Sequence, residues 1–220
     1  MSKLQAVLCD VDGTLIDSNA AHAEAWMKTL AHFGIHVGFD ELLHQIGKGG
    51  DKIIPKYVPA RDLERLETRI KEHRTGLFHR DYLPYLQPLP HARDLLVRMK
   101  EQGLRIAVAS STDKEDLATY KKIAKIEDLT EGDTTAADAS GSKPDPDIFQ
   151  AALGKLGLSA DHCIALGDTP YDIEAAGKAG VPTIAVCSGG WTREELSGAI
   201  AVYEDVADLY RNYDSSPLAR

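Results

Sequence analysis

Cysteine is scarce in this chain, and the three present (Cys9, Cys163 and Cys187) are odd in number and irregularly spaced. That excludes a disulfide framework and suits buried thiols in a reducing cytoplasm, where we expect the protein to reside. Long apolar runs are missing too. No stretch approaches the roughly 18 residues of a membrane-spanning helix, and Asp10 and Asp12 interrupt any apolar signal-peptide core near the start. No membrane partner is expected. Basic charge is in deficit: 25 Lys and Arg against 34 Asp and Glu leave a formal net charge of -9. A broad basic face for nucleic acid is thereby disfavoured. A small anionic substrate is still compatible, because a metal and a few local cations can reverse the field at one site. Internal repeats are absent. What is there, 43% hydrophobic and 27% charged residues, is an ordinary globular composition. The length suffices for one domain, with or without an insert.

Near-continuous apolar runs at 6–9, 104–109, 163–166 and 182–186 are short and, after the first, rich in β-branched residues. Strands buried on both faces, as in parallel sheets, have this pattern. The three cysteines are expected in strands rather than at regular loop spacings. Helical patterns lie between them. Leu89, Ala92, Leu95, Leu96 and Met99 recur at helical spacing, and Gly103 marks a stop. Thr112 and Glu115 form a capping-box pattern opening a helix at Asp113, and Asp145 precedes Pro146 as an N-cap before a first helical proline. Thr169 and Asp172 form a second capping box, with Pro170 between them. Strands alternating with helices predict an α/β fold, a doubly wound parallel-sheet (Rossmann-like) core. The segment 19–85 breaks the alternation. It reads as helices only, at 20–33 before Gly34 and at 61–86 with an interruption at Gly76. We expect a catalytic core of 1–18 and 86–220 with a helical cap inserted at 19–85. Two hinges join them, the second in the Pro-rich stretch 83–90. Residues 214–220 read as a frayed tail.

The densest chemistry follows the first run, in Asp10-Val11-Asp12-Gly13-Thr14. In extended backbone, residues i and i+2 face one side, so Asp10 and Asp12 can converge beyond the strand end. Two such carboxylates make sense around a divalent cation, or with one of them protonated. One would serve as nucleophile and one as acid/base. A polar turn would also use these residues. Other polar clusters follow other strands. Ser110-Ser111 precedes a helix, where a hydroxyl and free backbone N–H groups suit a phosphate, although a plain N-cap is the simpler use. Asp168 stands before the N-cap Thr169 at the sheet mouth, whereas Asp172 is accounted for by the cap it makes. Lys143, before Pro144, would ordinarily be a surface lysine. Ligands of open α/β sheets bind beyond the carboxyl ends of the strands, and these clusters meet there.

Taken in order, Asp10-x-Asp12-Gly13-Thr14, Ser110 after a strand, Lys143-Pro144 and Gly167-Asp168-x-x-x-Asp172 resemble the four motifs of the haloacid dehalogenase-like hydrolase superfamily. The resemblance spans nearly the whole chain, including a helical cap between the first two motifs. It is greatest to the subgroup of phosphoglycolate phosphatase and β-phosphoglucomutase. It implies that Asp10 attacks phosphorus to form an aspartyl-phosphate, while Asp12 protonates the leaving oxygen and then activates water. It implies Mg²⁺ held by the Asp10 carboxylate, the Asp12 backbone carbonyl and Asp168, with Asp172 in support. Ser110, with Ser111 beside it, would bind the phosphoryl group, and Lys143 would neutralise charge on it and on Asp10. Asp12 disfavours the dehalogenases and the phosphonate-cleaving members, which lack it, so Lys48 and Lys52 are not expected as Schiff-base residues. They lie on the Gly-rich turn 47–52 of the cap, suited to substrate recognition. His22 coincides with a histidine of the phosphoglucomutase-like members. Gly50 stands where those mutases carry a sugar-phosphate-binding arginine, which argues against a mutase. The expected activity is Mg²⁺-dependent hydrolysis of a small phosphorylated metabolite, such as a sugar phosphate or a phosphoglycolate-like compound. A phosphohexomutase and a non-catalytic binding or regulatory protein on the same fold are the alternatives. Monomer and homodimer are both compatible with the sequence.

Overall fold

Every residue of strands β1 (Ala6–Cys9), β5 (Cys163–Gly167) and β6 (Thr183–Val186) is buried in the computed structural model, which describes residues 3–219. With β4 (Arg105–Val108) and β7 (Ala201–Tyr203) they form one parallel sheet in the order β4-β1-β5-β6-β7. The period-2 alternation of side chains divides β1 between two apolar layers. Val7 and Cys9 join α5 (Ala92–Glu101), α6 (Lys114–Ala124) and α9 (Val206–Arg211) on one face. Ala6 and Leu8 join α7 (Asp147–Leu156) and α8 (Pro170–Lys178) on the other. The expected doubly wound core is therefore present.

Between β2 (Ile16–Asp17) and β3 (Gln87–Pro88) lie only helices: α1 (Asn19–His32), α2 (Phe39–Leu43), α3 (Gly50–Tyr57) and α4 (Ala60–Asp81). They make the inserted cap and bury a separate apolar cluster that includes Ala23, Trp26, Leu30, Leu42, Ile54 and Ile70. Ala25 and Phe78 point the other way, into the core of the sheet domain, so α1 and α4 stitch the two parts together. Where the chain leaves and re-enters the core, β2 and β3 pair antiparallel, Ile16 opposite Pro88 and Asp17 opposite Gln87.

Several local expectations need correction. α4 runs unbroken through Gly76. One interior glycine costs a helix about 1 kcal/mol, which the burial of Ile70 and Phe78 on the same helix outweighs. Asp113, not Thr112, caps α6, accepting from the Asp116 amide at 2.8 Å. Pro146, not Asp145, is the N-cap position of α7, because Asp145 is engaged elsewhere. The segment 83–90 is not a bare linker but carries β3. Residues 214–219 of the expected tail are not frayed: 3₁₀ turns at Tyr213–Ser215 and Pro217–Ala219 bury Leu218, and position 220 lies outside the described residues. Cys187 sits in a 3₁₀ turn after β6 rather than in it, and all three cysteines are free thiols. Among the described residues, no helix is long and apolar enough to cross a membrane.

Candidate active site

The three adjacent strands β4, β1 and β5 end side by side, and a polar residue stands one or two positions beyond each. Asp10 follows β1 and keeps the ladder by donating its amide to the Leu166 carbonyl, 2.8 Å away. Asp168 follows β5, and Ser110 follows β4 by two residues; all three are buried. The fourth participant arrives from the loop before α7. Lys143, fully buried, places its ammonium against Asp10 Oδ1 and 2.7 Å from Asp172 Oδ1. Asp172 also makes its expected capping box, its other oxygen accepting from the Thr169 amide (3.0 Å) and hydroxyl (2.6 Å). The cap therefore does not exhaust that carboxylate.

Asp10, Asp168 and Asp172 each offer an oxygen, all within 4.8 Å of one another. Three carboxylates stand against one ammonium. The imbalance is expressed at Asp10 and Asp168. Burial pushes Asp10 up to about 7, against the pull of Lys143, with Asp172 and Asp12 adding to the rise. Burial raises Asp168 well above the carboxylate range as well, reinforced by Asp172 and Asp10 and opposed by hydrogen bonds from Asn19 and Thr14. Burial works against the charge of Lys143, but Asp10 and Asp172 outweigh it and hold its pKa above the ordinary lysine value. An all-oxygen, buried and over-anionic donor set fits a hard divalent cation. Asp168 is fixed for that task by Thr14 Oγ1 at 3.0 Å and Asn19 Nδ2 at 2.8 Å, and the Asn19 carbonyl oxygen is buried without a hydrogen-bond partner. Gly13 lets the strands come this close: its φ is +71°, and a Cβ there would stand 2.2 Å from Asp168 Oδ2.

Asp12 belongs to a different set of partners. Its Oδ1 accepts from the Ser18 hydroxyl at 2.5 Å and lies 2.8 Å from His22 Nε2. Arg74, from α4, contacts His22 Nδ1. A guanidinium only donates, so Nδ1 accepts and Nε2 is left to donate to Asp12. Tyr120 Oη stands 3.2 Å from the same Nε2, and the imidazole stacks on Phe78 at 4.3 Å. Burial works to raise the Asp12 pKa, but His22 and the Ser18 hydroxyl, with Arg74 behind them, hold it below the usual carboxylate range.

Asp10 and Asp12 line one cavity of about 110 Å³, closed from the core side by Ser110 and Ser111 and from the cap side by His22, Trp26, Lys48 and Arg74. The Ser111 hydroxyl is buried with no hydrogen-bond partner. Lys48 leans over the Tyr171 ring at 4.1 Å, and burial lowers its pKa from the ordinary lysine value. Lys52 lies outside the cavity, 2.6 Å from Asp145. The cavity's second cap cation, Arg74, was not among the sequence candidates. It is one of many charges on a long, polar helix, and only the three-dimensional packing of α4 on α1 singles it out. Asn19, and the role of Thr14 within the first motif, are hidden for a similar reason, because their partner Asp168 is distant in sequence.

The family model of haloacid dehalogenase-like hydrolases matches residues 7–186. A phosphoglycolate phosphatase from Rhodospirillum rubrum is 32% identical over 222 aligned positions, covering 93% of this chain and 89% of that one. The crystal structure of a hydrolase from Pseudomonas syringae superimposes with a TM-score of 0.85 at 29% identity, covering 96% of this chain and 98% of that one. The structure of CbbY from Rhodobacter sphaeroides in complex with phosphate does so with a TM-score of 0.77 at 25% identity, over 94% and 96% of the two chains.

Proposed function

The chain belongs to the haloacid dehalogenase-like hydrolase family, and on that premise we propose that it is a Mg²⁺-dependent phosphatase of small organic phosphate monoesters working through an aspartyl-phosphate. The observation that carries this reading is the separation of the two first-motif carboxylates. They share one small cavity but not their partners: Asp10 is bound to Lys143, Asp12 to His22 and Ser18. Two carboxylates in one cavity with separate partners can divide attack on phosphorus from proton transfer. The relatives at comparable identity include proteins named for phosphatase activity, which places this chain among hydrolases of phosphate esters.

Asp10, Asp168 and the Asp12 backbone carbonyl would hold the metal, with Asp172 in support; when bound, it supplies Lewis-acid neutralisation of the phosphoryl charge. The chain's own residues account for the remainder. An Asp10 oxygen bonds to phosphorus as the bond to the leaving oxygen breaks, and Asp12, protonated from solvent when the anionic substrate lies beside it, delivers that proton to the leaving oxygen. Asp12 is then a carboxylate, the form its partners favour, and takes a proton from the water that attacks the phosphorus of the aspartyl-phosphate. Ser110 and Ser111 bind the phosphoryl oxygens, the latter with its free hydroxyl, and Lys143 neutralises charge on Asp10 and the transferring group. Phosphoryl transfer asks a protein for this positioning and charge neutralisation. His22, Lys48 and Arg74 line the part of the cavity on the cap side and would meet the rest of the substrate. A cavity this small favours a compact substrate of the phosphoglycolate or short sugar-phosphate kind, and Gly50 in the place of a sugar-phosphate-binding arginine speaks against a phosphohexomutase.

The direct test is phosphate release from p-nitrophenyl phosphate and a panel of phosphorylated metabolites. Excess chelator is expected to lower the rate about 10²-fold, with Mg²⁺ restoring it, in keeping with several kcal/mol of charge stabilisation from a Lewis acid. Full activity in chelator would end the metal assignment. Asp12→Ala is expected to slow turnover about 10²–10⁴-fold, the usual worth of general acid–base catalysis. Because p-nitrophenolate needs little protonation to leave, this variant should still become phosphorylated. Rapid quench and mass spectrometry should find a phosphoryl group accumulating on Asp10. A phosphoryl group on another residue, or undiminished turnover, contradicts the assignment.

A further inference from the structure

Lys143 owes its position to a loop that the cap holds on two sides. The first turn of α3 and the residue before it lie against that loop. The Gly49 amide donates to Ser142 Oγ at 2.9 Å, and the Ser142 amide donates to Asp51 Oδ2 at 3.2 Å. Lys52 Nζ stands 2.6 Å from Asp145 Oδ2. Ser142 and Asp145 flank Lys143 in the chain and are joined to each other, the Asp145 amide donating to the Ser142 carbonyl at 3.0 Å. Three cap residues, Gly49, Asp51 and Lys52, therefore grip the tight turn that carries the lysine. A second grip holds the other side of the anionic cluster. Tyr171, in the first turn of α8 next to Asp172, donates its hydroxyl to the His44 carbonyl at 2.6 Å while Lys48 lies over its ring.

The two sets of contacts differ in strength from the ones they serve. Lys143 and its carboxylates are wholly buried, whereas Lys52 and Asp145 each leave more than a third of their side chains in water, 37% and 38%. An ion pair that exposed is weak and screened by solvent, so it can break and reform in every catalytic cycle. Lys52 also has no place in the lining of the reacting cavity, which leaves its partner Asp145 as the only acceptor of its charge among the ion pairs described.

We infer that the first turn of α3 is a latch on the Lys143 loop, in which Asp51 and Lys52 act through Ser142 and Asp145 to seat the ammonium against Asp10 as the cap closes. Lys52 is then a positioning residue, not a substrate ligand. The inference rests on the role of Lys143 in the proposed reaction, but its test need not. Cap closure and charge neutralisation become one event: a substrate is enclosed and the nucleophile's counter-charge is set in place by the same movement. A lysine seated independently of the cap would leave Asp10 equally prepared with the site open to water.

The seating of Lys143 is read by brief acylation of the full-length protein with acetic anhydride, followed by peptide mass spectrometry. In the parent protein the buried Lys143 should react slowly. Lys52→Met should raise its labelling about 2- to 5-fold, the shift that loss of one exposed ion pair produces, and Lys52→Met with Asp51→Ala should raise it further. The exchange Lys52→Asp with Asp145→Lys should return labelling to the parent level, which a general loosening of the fold would not do. Arg98→Met, which removes an exposed pair with Asp214 between α5 and the C-terminal turn, should leave it unchanged. Turnover should fall by the same factor for an aryl phosphate and for every metabolite hydrolysed, with KM little altered. Unchanged Lys143 labelling in Lys52→Met and in Lys52→Met with Asp51→Ala overturns the latch, as does a loss confined to particular substrates. If labelling behaves as expected in a protein that releases no phosphate, the latch stands and the proposed reaction fails.

Discussion

Asp10→Asn should lower phosphate release by about 10⁴-fold or more, the scale on which removal of a nucleophile acts in enzymes that work through a covalent intermediate. The substitution keeps the side chain's shape and its place at the end of β1, where the backbone amide stays bonded to Leu166. It removes the one carboxylate that both lines the cavity and belongs to the anionic cluster. No phosphoryl adduct should form, in contrast to the accumulation expected in Asp12→Ala. The fold should not suffer. Burial and the neighbouring carboxylates already disfavour the ionised form of Asp10, so a neutral amide relieves repulsion, and the thermal midpoint should equal or exceed the parent's. Residual turnover within tenfold of the parent, or an adduct in this variant, would remove Asp10 from the chemistry.

Lys143→Met is the substitution expected to cost most in stability. Taking one partner from a buried ion pair leaves an uncompensated charge and typically costs about 3–5 kcal/mol. Here the ammonium serves two buried carboxylates with a third close by. Urea unfolding in the presence of chelator should show the loss. Added Mg²⁺ should recover part of it, because a ligand that binds only the folded protein stabilises it by mass action. The loss should also shrink in acid. Asp10 is raised to about 7 with the lysine present and rises further without it, against an unfolded value near 4. Between those limits the folded variant binds a proton that the unfolded chain does not, so its stability is gained as pH falls through the window and lost as pH rises. Parent-like stability in chelator at neutral pH would show that the cluster is far less anionic than drawn here.

The sequence announces buried elements well and exposed ones badly. β1, β4, β5 and β6 are legible because a strand covered on both faces must be apolar throughout. β7 and the β2–β3 pair are only two or three residues long and part-exposed, so no period can be read from them. Asp10, Ser110 and Asp168 are legible as candidates because each follows a strand at the mouth of one parallel sheet, and Lys143 through the four-motif resemblance, since by itself it reads as a surface lysine; the fold brings all four together. Asp172 reads as a cap and is one, yet its second oxygen faces Lys143. Arg74 and Lys52 show what is hidden. Both are cations on polar cap helices, and their partners, His22 and Asp145, are chosen by the way the cap lies on the core.

The short ladder in which Asp17 faces Gln87 has its own consequence. The chain steps out of the core and back into it at one point, so for the sheet domain the whole helical insertion is a single loop whose ends are already joined. The entropy of closing a loop grows only slowly with its length, so the core is nearly indifferent to how much chain hangs there. Caps of different size or helix number can be carried at this junction so long as they keep Asn19, which holds Asp168, and the apolar contacts that Ala25 and Phe78 make with the core. One reaction chamber can thereby be given many lids.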